Sequence, residues 1–355
     1  MVLFWGATLL SLTLLIRVNR SWKIPYEAAK VSGKSFALGW LSLLVAVILL
    51  YVATGNWHIN VTLANDDVIT SGMRFIIDML IVLAVIVPAA QFPFQSWLIE
   101  SVAAPTPVSA IMHAGIVNAG GIILTRFSPV FNDPLAITIL LIIASISVLL
   151  GSGISLVHVD YKRQLVGSTM SQMGFMLVQC ALGVYSAAII HLILHGVFKA
   201  TLFLQSGSVV KRFNIPTPPS AKRSYSWVVL GRCLAIIIAI LFWLGSDRSA
   251  YEILSALILA WSLMVSWNQM VAFSRGLIGR VIGIIMIVIV ALVYIVTHHY
   301  FYNTLSHVYM NVAHPPLMSV IIGILILVFG SVLSIWVARQ RDSKAFAVLY
   351  CGWLN

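Results

Sequence analysis

Long apolar stretches that charge rarely interrupts constrain this chain more than any other feature. A transmembrane helix needs about 20 mostly apolar residues, and by that measure the sequence predicts about eleven spans. They are 2–17, 34–54, 73–92, 105–127, 135–157, 164–184, 186–210, 226–246, 250–273, 276–297 and 317–338. The chain is 61% hydrophobic and 9% charged, which is typical of an integral membrane protein. We therefore predict an all-α, polytopic transmembrane helix bundle.

The apolar segments follow one another without a long polar or low-complexity insertion. The sequence therefore predicts one transmembrane bundle domain over residues 1–340, with its core at about 73–210, and a short cytoplasmic tail at 341–355. The first apolar stretch has neither a basic segment before it nor a small-residue cleavage site after it, so we expect a retained helix. Proline residues mark predicted connections at Pro25, Pro93, Pro134 and 216–219.

Basic residues gather in alternate connections, after predicted spans one, five, seven, nine and eleven. These groups are Arg17/Arg20/Lys23/Lys30/Lys34, Lys162/Arg163, Lys211/Arg212/Lys222/Arg223, Arg275/Arg280 and Arg339/Arg341/Lys344. By the positive-inside rule, we predict a multi-pass plasma-membrane protein with its N-terminus outside and its C-terminus in the cytoplasm. The same distribution accounts for the net charge of +11 without any nucleic-acid partner.

Three ionisable residues form a row in one apolar segment: His191, His195 and Lys199. They are four residues apart, so a helix places them on one face. Ionisable groups at membrane depth are costly and usually line an ion path, which favours a proton relay. Two other interpretations stay open. The spacing HxxxH is half of a zinc motif, although no glutamate follows the first histidine and a lysine comes next. The groups could also be structural, each satisfied by neighbouring helices.

A second polar segment surrounds His113. Pro105 and Pro107 open a predicted helix, and the same span contains Asn118 together with glycines at Gly115, Gly120 and Gly121. A histidine near the middle of a glycine-rich span indicates a broken helix of the kind that transporters use at binding sites. A glycine-rich packing helix with a satisfied core histidine is the alternative.

The sequence offers few groups for other chemistry. Asp78, Glu100 and Asp160 are candidate carboxylates that modulate Lys199, although the sequence cannot pair them. A polar band around Ser168 begins another span. Cys180, Cys233 and Cys351 are far apart, and the sequence contains no nucleotide-binding, haem or iron–sulfur motif. We expect no cofactor, no metal site and no catalysis by the chain itself.

Three segments resemble a known family. PTPVSAIMHAG, DYKRQLVGSTMSQMGFM and HLILHGVFKATLFLQSG are similar to the proton-conducting, antiporter-like subunits of NADH–quinone oxidoreductase, the subunit 5 type. The same module occurs in multisubunit cation/proton antiporters and in two-component inorganic-carbon uptake systems. The resemblance covers residues 1–210 and implies an antiporter-like subunit fold. It also implies that the helix of His113 is broken and that His191, His195 and Lys199 conduct protons.

The departures from the respiratory subunits concern charged residues. Those subunits carry a glutamate where this chain has Gly6, and a lysine where it has Pro88. Their distal segment with a further lysine has no counterpart here. The family also has about four helices before the first one of this chain, so we expect that this copy either begins late or is truncated.

HAGIVNAGG and KATLFLQSGS are most similar to the membrane subunits of inorganic-carbon (CO2/bicarbonate) uptake systems. That resemblance implies a large peripheral partner with a carbonic-anhydrase-like zinc site, and a membrane subunit that conducts protons or another cation, such as sodium. The alternatives are a proton-pumping subunit of an NADH–quinone oxidoreductase-like complex, a sodium/proton antiporter subunit, and a structural membrane subunit without transport.

Overall fold

The computed structural model describes residues 1–18, 22–57, 69–158, 160–207, 225–244 and 276–305, with isolated positions and short pieces between 256 and 332. Within these ranges the chain forms helices and no β-strand, as the predicted all-α class requires. The chain divides into two compact units, residues 1–212 with 308–355, and residues 213–307. Most of the predicted spans 250–273 and 317–338, and the predicted tail 341–355, lie outside the described residues.

The first unit contains nine described α-helices. They are α1 (Val2–Ile16), α2 (Lys23–Thr54), α3 (Ser71–Ile86), α4 (Ser96–Glu100), α5 (Thr106–Ala114), α6 (Ala119–Phe127), α7 (Pro134–Val157), α8 (Tyr161–Ala181) and α9 (Tyr185–Gln205). The second unit contains α10 (Tyr225–Leu244) and α11 (Gly276–Leu305). Five described segments are long and apolar enough to cross a membrane: Lys23–Thr54, Thr106–Phe127, Pro134–Ser155, Tyr185–Gln205 and Ser226–Leu244. The predicted polytopic helical protein is therefore confirmed.

Helix α2 differs from the prediction at its N-terminus. It begins at Lys23 rather than near residue 34, so part of the predicted connection is helical. Pro25 is only the third residue of α2, where its missing N–H removes no intrahelical hydrogen bond. Lys30 and Lys34 stay exposed on the first turns of this helix. The basic group after the first span is thus carried by a helix end.

Helices α7 and α8 pack with their backbones in close contact. A Cβ atom added at Gly151 would lie 2.6 Å from the carbonyl oxygen of Gly167, and one added at Gly167 would lie 2.6 Å from the backbone nitrogen of Ser155. Small residues allow this approach, which is a common way for helices to associate in lipid. The hydroxyls of Ser152 and Ser171 lie 2.9 Å apart and add a hydrogen bond across the same contact. Helix α8 is therefore fixed against α7.

Aspartates begin both helices of this pair. The Asp133 carboxylate accepts hydrogen bonds from the backbone N–H groups of Leu135 and Ala136, each at 3.0 Å. Asp160 accepts in the same way from Lys162 and Arg163 at 2.7 and 3.2 Å. Such N-caps satisfy donors that a helix start leaves free. Pro134, predicted as a breaker, is the first residue of α7, a position that proline favours.

The second unit is held together around an indole. Trp267 donates a hydrogen bond from Nε1 to the backbone carbonyl of Trp227 at 2.7 Å, and it packs with the buried Val228. The guanidinium of Arg280 on α11 lies 5.0 Å from the ring centroid of Trp227, within the range of a cation–π contact. These contacts join α10 and α11 within this unit.

The contact between α7 and α8 predicts a stability change. Gly167→Val should lower the thermal unfolding temperature of the detergent-purified protein, because the new side chain meets backbone atoms that cannot move aside. Overpacking of this kind costs about 1–3 kcal/mol. Gly72→Ala in α3, where an added Cβ meets nothing within 4 Å, is the matched control and should unfold at the wild-type temperature. Equal unfolding temperatures for both variants would contradict the close packing.

Candidate functional site

The helix that carries His113 is interrupted. Helix α5 ends at Ala114, Gly115 has φ −120° and ψ −71°, and a 3₁₀ turn over Ile116–Asn118 leads into α6. The Asn118 side chain donates from Nδ2 to the Ala114 carbonyl at 2.6 Å, which satisfies one backbone acceptor next to the break. The predicted broken helix is confirmed, and His113 lies in the last turn before the break.

The glycines beyond the break serve close packing. A Cβ atom at Gly120 would lie 3.2 Å from the Val85 carbonyl oxygen of α3, and one at Gly121 would lie 2.7 Å from the sulfur of Met176 on α8. The segment therefore combines a broken helix with a glycine-rich packing surface in its second half. Together they hold α6 between α3 and α8.

The row of ionisable residues lies on α9 and faces the break. His195 and Lys199 are buried, with 6% and 2% of their surfaces exposed, and His191 is half-buried. The ring centroids of His191 and His195 are 5.9 Å apart. Phe203, one turn beyond Lys199, continues the row and stacks on His113 with ring centroids 4.1 Å apart.

A glycine lets α9 approach the break. A Cβ atom at Gly196 would lie 2.9 Å from the carbonyl oxygen of Ala114 and 3.5 Å from Nδ2 of Asn118. His113, which is 1% exposed, directly precedes Ala114 and is therefore buried beside this contact. The structure thus brings His113 together with the row on α9.

The Lys199 amine is held by α8. Its Nζ donates to the backbone carbonyl of Leu165 at 3.2 Å and makes a short hydrogen bond to the Ser168 hydroxyl. Both acceptors are uncharged. Hydrogen bonds satisfy the amine's donors, so burial does not leave it without partners, yet neither acceptor fixes it in the charged form as a carboxylate would.

Several buried polar atoms around the break have no hydrogen-bond partner among the described residues. They are both ring nitrogens of His195, Nδ1 of His113 and Oδ1 of Asn118. Unpartnered buried polar atoms are rare in native proteins, and each of them requires an explanation, of which a catalytic role is one. The group lies where α5 and α9 meet, next to Lys199.

The three candidate carboxylates have other contacts. Oδ2 of Asp78 on α3 accepts hydrogen bonds from the backbone N–H groups of Asn132 and Asp133, at 3.1 and 2.9 Å. Asp160 caps α8, and Glu100 is exposed at the end of α4. The two described acceptors of Lys199 are a backbone carbonyl and a hydroxyl, and neither is a carboxylate. A modulating role for Asp78, Glu100 or Asp160 remains a prediction.

Apolar packing fills the two positions where the resemblance implies charges. The Trp40 indole of α2 covers Gly6, where an added Cβ would lie 2.5 Å from Nε1. The same indole donates to the Val2 carbonyl at 3.0 Å. One residue earlier, a Cβ at Gly39 would lie 3.3 Å from Cδ of Pro88. Helix α2 therefore occupies the space beside both positions.

At the connection between α7 and α8, His158 lies outside the spans. Burial, and to a lesser extent the charge of Arg163, lower the pKa of His158, while Asp160 opposes this shift. The imidazole is therefore neutral at pH 7, and the positive charge at this end of α8 comes from Lys162 and Arg163. No group of three or more histidine, cysteine or acidic side chains in the described part of the chain is close enough to hold a metal ion.

Phe203 and the pairing of Ser168 with Lys199 were missed by the sequence analysis. Phe203 was accessible to it, because it is four residues beyond Lys199 on the same helix face. The pairing of Ser168 with Lys199 was not accessible, because the sequence separates these residues by 31 positions and carries no information on how α8 and α9 align. The polar band around Ser168 was the only signal.

Comparison with known proteins gives consistent relatives. A family model described as "NADH:quinone oxidoreductase/Mrp antiporter, TM" matches residues 1–283. "Probable inorganic carbon transporter subunit DabB" of Bacillus subtilis (strain 168) is 58% identical over 356 residues, covering 100% of this chain and 70% of that protein. "NAD(P)H-quinone oxidoreductase subunit 5, chloroplastic" of Nymphaea alba is 35% identical over 216 residues, covering 58% of this chain and 29% of that protein.

A solved structure has the same fold. A chain in the structure of the Mrp complex from Dietzia sp. DQ12-45-1b superimposes with a TM-score of 0.64 at 22% sequence identity. The match covers 99% of this chain and 45% of that chain. At this identity the likeness concerns the fold alone, and it confirms the antiporter-like architecture.

Asp78 provides a test between a structural and an ion-modulating role. Asp78→Ala removes the acceptor of two backbone N–H groups before α7 and should lower the unfolding temperature, because a donor left without its partner costs about 1–3 kcal/mol. Asp78→Asn keeps an oxygen acceptor and should unfold closer to wild type. If both variants unfold at the wild-type temperature, the structural role is contradicted.

Gly6 provides a test of the filled charge position. Gly6→Glu should reduce the amount of folded protein extracted from membranes, because the carboxylate would enter the space of the Trp40 indole. Gly6→Glu combined with Trp40→Ala should recover part of that amount. Trp40→Ala alone is the control, and no recovery in the double variant would contradict the steric explanation.

Proposed function

The chain belongs to the NADH:quinone oxidoreductase/Mrp antiporter family of membrane proteins, and we propose that it is the ion-conducting subunit of an inorganic-carbon uptake complex. The observation that carries this proposal is its likeness to an inorganic carbon transporter subunit along its whole length, at 58% identity. The likeness to a quinone oxidoreductase subunit is lower, at 35%, and covers 58% of the chain.

The proposed proton path comprises His113, His195, His191 and Lys199, with Lys199 as the central switch. A neutral imidazole carries one donor and one acceptor nitrogen, so it can accept a proton on one nitrogen and release one from the other. The Lys199 ammonium releases its proton to one neighbour and is reprotonated from the other side. Its uncharged acceptors, the Leu165 carbonyl and the Ser168 hydroxyl, support this role because neither holds the lysine permanently in the charged state.

The carbon chemistry is assigned to a partner. We infer a large peripheral subunit with a carbonic-anhydrase-like zinc site, which interconverts CO2 and bicarbonate with release or uptake of a proton. The membrane subunit conducts protons, or another cation such as sodium, and so couples that reaction to an ion gradient. The names of the relatives, which are inorganic carbon transporter subunits, support a system of several subunits.

The proposed setting is the plasma membrane, with the N-terminus outside and the C-terminus in the cytoplasm. Two basic helix ends support this orientation. Lys30 and Lys34 are exposed on the first turns of α2, and Lys162 and Arg163 lie at the start of α8. Both groups are on the cytoplasmic side under the positive-inside rule.

Labelled bicarbonate uptake by intact cells tests the proposal. In the parent strain, a protonophore should abolish bicarbonate uptake. Deletion of the gene should abolish the same uptake. Lys199→Ala should reduce uptake at least tenfold at normal membrane levels. Lys199→Arg should do the same, because arginine keeps the charge but does not release its proton. Lys30→Ala, at an exposed lysine of α2, is the matched control and should transport normally.

The alternatives give different results in the same strains. Wild-type uptake in Lys199→Ala cells would contradict the proposed path. Normal bicarbonate uptake in the deletion strain with a loss of salt or alkali tolerance would indicate a sodium/proton antiporter subunit. A loss of NADH-dependent proton pumping instead would indicate a respiratory subunit.

A further inference from the structure

The contacts of Lys199 on α8 have a chemical asymmetry. One acceptor, the Leu165 carbonyl, can only accept hydrogen bonds, whereas the other, the Ser168 hydroxyl, can both accept and donate. We propose that Ser168 is the positioning residue of Lys199, keeping a hydrogen bond to its amine in both the protonated and the neutral state. This inference rests on the proposed function, because it concerns a lysine that gains and loses a proton.

The hydrogen-bond directions show how the protonated state is held. The Ser168 hydroxyl donates to the Leu165 carbonyl at 2.9 Å, so its oxygen is available to accept from the Lys199 ammonium. The same carbonyl accepts from Lys199 at 3.2 Å. The three groups form a closed ring of hydrogen bonds in which the ammonium is a donor twice.

The neutral state requires a donor to the amine. When Lys199 has lost its proton, the amine nitrogen carries a lone pair that the carbonyl cannot satisfy. Rotation of the Ser168 hydroxyl turns its hydrogen from the carbonyl to that lone pair. The Leu165 carbonyl keeps a partner during this rotation, because the Thr169 hydroxyl also donates to it, at 2.9 Å. The amine, the hydroxyl and the carbonyl then each keep a hydrogen bond.

The position of this hydroxyl is fixed by packing. Gly167, directly before Ser168, lies in backbone contact with α7, and Ser171 is bound to Ser152 of α7. Helix α8 therefore cannot follow the lysine, and the amine has a defined place to which it returns. Of the other ionisable groups at the site, His195 lies on α9 itself, one turn before Lys199, and His113 lies on α5 next to Ala114, where α9 makes its contact.

The experiment measures proton flux and bicarbonate uptake in cells that carry the whole complex, over a range of pH. Ser168→Ala should reduce uptake at least threefold and move the pH of half-maximal flux downward. The downward shift is expected because hydrogen bonds to a charged donor are the stronger ones, so their loss disfavours proton uptake most. Ser168→Thr keeps the hydroxyl and should restore both the rate and the pH dependence.

Ser171→Ala is the matched control. It removes a hydroxyl from the same helix that bonds to Ser152 rather than to Lys199, and it should keep the wild-type pH dependence. An equal effect of Ser171→Ala, or failure of Ser168→Thr to restore transport, would overturn the role of Ser168. Both variants are compared at equal membrane levels of the protein.

Lys199→Ala separates the inference from the proposed function. If Lys199→Ala abolishes transport while Ser168→Ala transports as wild type at every pH, the positioning role is wrong and the proton path stands. If Lys199→Ala transports normally, the path itself is wrong and the role of Ser168 is overturned with it. Loss in Lys199→Ala together with a shifted pH dependence in Ser168→Ala supports both.

Discussion

A lysine amine buried at membrane depth must find hydrogen-bond acceptors inside the protein, and the rest of this site depends on how that requirement is met. A charge in this position is among the most expensive groups in a membrane protein. Lys199 meets the requirement with one carbonyl and one hydroxyl of α8. These acceptors satisfy the amine without an opposite charge, so the protein can neutralise it without leaving a carboxylate unpaired.

Close helix contacts make this arrangement possible. The lysine reaches its acceptors because α8 is held at a fixed position by its backbone contact with α7, at Gly151 and Gly167. On the other side, Gly196 lets α9 touch the broken helix next to Ala114. A larger residue at Gly196 would separate Lys199 and His195 from His113. Small residues therefore set the distances on which any transfer of protons between these groups depends.

The sequence predicted the elements better than their contacts. Apolar length alone located most spans, and the glycines and prolines around His113 predicted its broken helix. The row from His191 to Lys199 followed from helical periodicity. In contrast, the sequence indicated Asp78 as a candidate carboxylate but could not pair it with Lys199. The contacts of its Oδ2, to the backbone before α7, were not predictable from the sequence. Which helices align, and at what register, is a property of the packed bundle that the local sequence does not encode.

The start of α2 is a second feature that the local sequence did not predict. Charged residues and Pro25 indicated a connection there, yet proline is tolerated in a first helical turn and exposed lysines do not oppose a helix. The packing of α2 also accounts for the absence of charged side chains at positions 6 and 88. Trp40 covers Gly6, and Gly39 contacts Pro88, so apolar atoms fill the space beside both positions.

One helix, α2, packs against both positions. A glutamate at position 6 would meet the indole of Trp40, and Pro88 already contacts Gly39 on the same helix. What remains in the described unit is a single buried lysine with histidines beside it. In the proposed function, one lysine of this kind passes protons down a gradient. The proposed coupling to a carbon-converting partner requires its membrane subunit to do this.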